Sequence, residues 1–144
     1  MREPRWALGL LLLSSFLIAG QESAGVIGER WALMRALGDD LQAIWDGLAG
    51  GDTRAVEQGA TRIAAQATRM STLFPPDSFH PPSRAEPAIR EEFHTFEALA
   101  QELKAAAEGL AVSTRQAALA EVQPYLTRLI RACRHCHRNY IQPY

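Results

Sequence analysis

Apolar residues recur along this chain at alternating intervals of three and four, the period of a helix with one buried face. Four segments carry the pattern. Segment A starts near Gly25 and runs to about Leu48, with Ile27, Trp31, Met34, Leu37, Leu41, Ile44, Trp45 and Leu48 as its stripe. Gly50 and Gly51 end it, because glycine suits the left-handed turn after a helix. Asp52 is placed to cap segment B, whose stripe is Val56, Ala60, Ile63, Ala67, Met70 and Phe74. Pro75, Pro76, Pro81 and Pro82 then break the period and predict the longest connection in the chain. Segment C begins near Ser83 or Glu86, with Pro87 in its first turn, and buries Ile89, Phe93, Phe96, Leu99, Leu103, Ala106 and Leu110. Segment D opens on the capping-box pattern Ser113-x-x-Gln116. Its stripe runs Leu119, Val122, Leu126, Leu129, Ile130, Cys133, Cys136, His137, Tyr140 and Ile141. Pro124 falls inside it and predicts a kink or a fresh start; the stripe keeps its phase across Pro124, which favours the kink. Four amphipathic helices on short loops predict an all-α fold, an antiparallel four-helix bundle.

Composition agrees with this and adds a compartment. The 144 residues allow one domain, and the net charge of −1 gives no global reason to expect nucleic acid. The N-terminus has the form of a secretory signal: Arg2 and Arg5, then an apolar stretch from Trp6 to Ala19, with cleavage expected after Gly20. The stretch is short for a membrane span of roughly 20 residues. Ile18 departs from the A-x-A cleavage pattern, so an uncleaved membrane anchor is the alternative. Residues 1–20 are thus read as signal and residues 21–144 as the mature domain, with 13 basic and 15 acidic residues and a net charge of −2.

The two cysteines define the chemistry. Cys133-Arg134-His135-Cys136-His137 has the C-x-x-C-H form of covalent c-type haem attachment. Residues three apart on a helix share a face, so both thiols can bond the two vinyl groups on one porphyrin edge. His137 follows directly and can ligate the iron from the proximal side. A structural zinc site would need a second ligand pair, and a thioredoxin-like redox site would need strands around it. The sequence offers neither. On the opposite side of the helix lie Arg128, Arg131, Arg134 and Arg138. They form either a solvated basic face or a positive patch that steers an acidic redox partner.

Beyond the motif, the chain resembles the cytochrome c′ family from about Gly25 to Tyr140. The C-terminal position of C-x-x-C-H is selective for that family. Arg30-Trp31-Ala32-Leu33-Met34 is similar to its first-helix motif, and Phe74-Pro75-Pro76-Asp77-Ser78 resembles its Phe-Pro-x-x-Ser segment. Residues 132–140 resemble its attachment helix, with Tyr140 as the aromatic three residues past the His. One position departs: Ile141 stands where family members usually have Arg or Lys. The resemblance implies a periplasmic haem protein, often a homodimer through the first two helices. Many members bind nitric oxide or carbon monoxide at five-coordinate iron. Low-spin relatives use a first-helix Met as sixth ligand and carry electrons.

Two residues of segment A bear on that choice. Arg30 interrupts the apolar stripe, so it either pairs with a haem propionate or snorkels to water. Met34 occupies the position that faces the distal side of the iron in the family, where it either bonds the iron or merely covers it. Met70 is a weaker competitor. The adjacent pairs Asp39-Asp40 and Glu91-Glu92 diverge on their helices and read as solvated faces, so no acid–base constellation argues for an enzyme. The expectation is single-electron transfer with protein partners, and the alternative is gas binding. The missing cation at Ile141 tilts the reading toward the carrier.

Overall fold

The structure, a computed structural model, describes residues 7–143, with side chains from residue 25 onward. Four helices form an all-α bundle: α1 (Ala7–Gly50), α2 (Thr53–Arg69), α3 (Phe93–Gln116) and α4 (Gln123–Tyr140). Arg2, Glu3 and Arg5 of the expected signal lie outside the described residues. The backbone of α1 runs on upstream of Gly25, where the sequence reading began segment A. Neither Gly20, Gly25 nor Gly28 stops it, since a helical glycine costs only about 1 kcal/mol. Among the residues whose side chains are described, no helix is long and apolar enough to cross a membrane.

The α1–α2 turn follows its sequence. Gly51 takes a positive φ of 74°, and the Asp52 carboxylate accepts the Ala55 N–H at 3.0 Å. Every expected stripe residue of segment B is buried. Where α1 and α2 cross, Gly59 lets the backbones meet: a Cβ there would lie 2.7 Å from Ile44 Cγ1. Beside this crossing Asp40 is buried, accepting from Arg62 Nε at 2.6 Å and Gln66 Nε2 at 2.8 Å. It is therefore an interhelical tie and not the solvated acid that the sequence suggested.

Other expectations give way as well. Trp31 and Trp45, assigned to the buried stripe of segment A, stand 47% and 41% exposed. Phe93 and Ile141 are also exposed. Segment C starts later than expected: Pro87–Ile89 form a separate 3-10 turn, and α3 begins at Phe93. Ser113 and Gln116 end α3 instead of opening the last helix, with the Ser113 hydroxyl donating back to Leu110 O at 2.9 Å. Pro124 sits in the first turn of α4, a fresh start and not a kink. Proline lacks only an N–H that the first turn leaves unbonded anyway, so the chain breaks before it.

Helices α1–α2, α2–α3 and α3–α4 pack closely, whereas α4 and α1 barely touch. The bundle is thus open along its fourth seam.

Candidate functional site

The open seam is a cleft with a cavity of about 150 Å³. Met34, Leu37 and Leu41 line it from α1, and Cys133, Cys136 and His137 line it from α4. Ile63 and Met70 of α2 and Leu99 and Leu103 of α3 form its apolar floor. A second pocket, of about 100 Å³, shares Met34, Cys136 and His137 with the first and extends past Trp31 to Phe96, Tyr140 and Ile141. The C-x-x-C-H motif and the first-helix Met therefore face one another across a single apolar space.

Both cysteines are free, half-buried thiols. Burial raises the Cys133 thiol, and burial followed by the charge of Cys133 pushes Cys136 up to about 11. Burial lowers His137, which favours the neutral imidazole, the form that ligates a metal. Two thiols one turn apart, an imidazole beside them and an apolar slot fit a covalently held porphyrin. The greasy walls would take its macrocycle and α4 would carry its attachments.

Arg30 does neither of the things expected of it. It is 4% exposed, and each of its five N–H groups meets an acceptor on the 73–83 loop. Nε and Nη2 donate to Leu73 O at 3.1 and 2.8 Å, and Nη2 also donates to Ser78 Oγ at 2.7 Å. Nη1 donates to Ser83 Oγ at 2.8 Å and Ser78 O at 3.3 Å. The guanidinium also lies 4.0 Å over the Phe74 ring. Burial pushes it down to about 10, so it remains a cation at neutral pH. In this arrangement it has no N–H left for a propionate. Its work is to clamp the proline-rich loop onto α1.

That clamp reaches the haem motif through rings. Phe74 packs on Phe96 at 4.5 Å, and Phe96 meets Tyr140 edge-on at 5.6 Å. Tyr140 OH donates to Glu92 at 2.8 Å, fastening the end of α4 to the start of α3. Beyond it, Ala85 and Ile141 form an antiparallel bridge, while Glu86 N donates to Tyr140 O at 3.0 Å and Gln142 N to Arg84 O at 2.9 Å. The sequence reading missed Ser83 and Glu92 as structural partners. The Phe-Pro-x-x-Ser segment was the one signal pointing at Ser78; Ser83 was read as a possible helix start and Glu92 as a solvated acid, and neither reading pointed to these contacts.

Known proteins agree with the geometry. The family model described as cytochrome C′ matches residues 25–140. A cytochrome c-556 of Agrobacterium tumefaciens is 33% identical over 120 residues, covering 81% of this chain and 97% of that protein. A solved cytochrome c′ described as having ligand-controlled dimer dissociation superposes with a TM-score of 0.76 at 24% identity, covering 84% of this chain and 97% of the other. A ferrous, nitric oxide-bound variant of Alcaligenes xylosoxidans cytochrome c′ superposes with a TM-score of 0.74 at 13% identity, covering 85% and 97%. These last two likenesses speak to the fold.

Proposed function

Since this chain belongs to the cytochrome c′ family, we propose that it is a periplasmic electron carrier, passing single electrons between protein partners at an iron ligated by His137 and Met34. Haem c is its cofactor. We assign the two thioether bonds to Cys133 and Cys136. The bound haem supplies a one-electron centre, and Met/His ligation raises its potential. The chain's own part is to hold and shield that centre. The neutral imidazole of His137 offers its nitrogen, the α2 and α3 floor excludes water, and α1 brings a soft thioether to the opposite wall. The observation that carries the reading is that Met34 and His137 line the same cleft from facing helices. Ile141, exposed and uncharged where relatives usually have a cation, supports it. The expected signal at residues 1–20 supports export. The exposed Trp31 and Trp45, about four turns apart on one side of α1, support a homodimer through that helix.

The test is the visible spectrum of the holoprotein, oxidised and reduced, the latter with and without carbon monoxide. Sharp low-spin bands, a sulfur–iron band that vanishes in Met34→Ala and poor carbon monoxide uptake are expected. Broad high-spin bands with ready carbon monoxide uptake would overturn the carrier and make gas binding the function.

A further inference from the structure

The outer face of α4 carries a charge pattern at odds with the rest of the molecule. Thr127, Arg131, Arg134 and Arg138 fall at helical intervals of four, three and four, so they share one narrow stripe. Arg128 flanks it, stacked 5.8 Å from the Tyr125 ring. All four arginines are exposed. Among the described residues, Arg131, Arg134 and Arg138 have no acidic partner, whereas Arg62 and Arg115 elsewhere do. The bordering acid is Glu102 of α3, which faces Arg128 and Arg131 across a shallow groove and lies 3.6 Å from His135. Residues 21–144 as a whole carry 13 basic against 15 acidic residues, so this concentration of positive charge sits on a chain of net −2. It lies on the very turns that hold Cys133, Cys136 and His137.

We infer that this stripe, on the face of α4 turned away from the cleft, is the docking surface for an acidic partner protein that exchanges electrons with the haem across that helix. This docking role rests on the electron-carrier reading and names its partner's chemistry. Guanidinium groups that have no acid of their own chain to release are free to bond carboxylates through a planar fork. Such a patch raises encounter rates with an anionic surface while total charge governs only the far field. An anionic membrane is the weaker fit, because none of the large exposed apolar side chains (Trp31, Trp45, Phe93, Val112, Tyr125, Ile141) lies on the stripe to insert among lipids.

Local patch and net charge predict opposite behaviour, which makes the idea testable with small reagents. The reduced holoprotein is oxidised by hexacyanoferrate(III), an anion, or by tris(phenanthroline)cobalt(III), a cation; in each case the iron loses one electron and the reagent gains it. The hexacyanoferrate rate should fall as salt is added and should drop at least about fivefold in R131E/R138E at low ionic strength. R54E, at the far end of the bundle on α2, should barely change it. Poly-L-glutamate should slow wild-type oxidation and leave R131E/R138E alone. A hexacyanoferrate rate that rises with salt would mean that net charge governs, and equal losses per charge in R54E and R131E/R138E would mean that position is irrelevant. Either overturns the proposal. So does tight binding to phosphatidylglycerol vesicles that poly-L-glutamate cannot displace. The salt and charge-reversal pattern is also measured in Met34→Ala. It persists there if the patch is right and the ligation wrong, so the two failures are separable.

Discussion

Arg30 illustrates how much a single side chain can organise. Its five donors gather three residues, Leu73, Ser78 and Ser83, that are between 43 and 53 positions away in sequence. Replacing it with Ala would leave the buried Leu73 O and Ser78 O without their donors and Ser83 Oγ with only the Ala85 N–H. Arg30→Ala should cost about 2–4 kcal/mol, read from urea denaturation midpoints. Arg30→Lys should recover less than half of that, since one ammonium cannot span the planar fork of acceptors. Full rescue by Lys would mean that charge alone matters at this position. Met34 is a residue-scale question of a different kind. The helical period placed it on a buried stripe and the family resemblance placed it toward the iron, but whether its sulfur bonds iron is decided by fractions of an ångström, which the spectrum of Met34→Ala addresses.

At the scale of elements, the helices obey their sequences except at their ends. The segment B stripe, the glycine stop and the Asp52 cap formed where the pattern placed them, while the other stripes lost Trp31, Trp45, Phe93 and Ile141 to the surface. Ser113-x-x-Gln116 did not cap α4, because α3 still had an apolar face to bury through Leu110 and Ala111 and simply continued. Packing also assigns different costs to glycines that look alike in sequence. Gly59→Ala would drive a methyl into fully buried Ile44 and should destabilise by about 1–3 kcal/mol. Gly28→Ala meets nothing within 4 Å and should stabilise by about 0.5–1 kcal/mol. Thermal melts of both variants check the contrast; two changes of the same sign would contradict the close α1–α2 crossing.

For the whole molecule, the decisive feature is the unclosed seam between α4 and α1. It turns a bundle core into a cleft and sets Met34 against His137. Tyr140 helps hold that arrangement by tying α4 to α3. Burial first, then the accepting Glu92, pushes its phenol up to about 12, while an unfolded tyrosine ionises near 10. The folded state thus keeps the proton longer than the unfolded chain. The resulting stabilisation is complete below about pH 10 and is lost as the pH rises toward about 12. Urea midpoints measured across that window should fall more steeply in the wild type than in Tyr140→Phe. Parallel curves would remove Tyr140 from the alkaline transition.

The sequence by itself determined the helical class, the four segments and the placing of Cys133, Cys136 and His137 within one turn of one helix. Each depends on local information: a periodicity of 3.6, turn residues, and five consecutive positions on one helix. What only the tertiary structure decided involves partners distant in the chain. That Trp31 and Trp45 face outward, that Asp40 is buried, and that Arg30 clamps a loop instead of meeting solvent all follow from which helix lies opposite. A stripe says that a face is apolar, but not how wide the neighbour covering it will be. The cleft depends on that missing quantity, for it exists because α2 and α3 each have two close neighbours while α1 and α4 leave their mutual face for a group that the polypeptide does not itself encode.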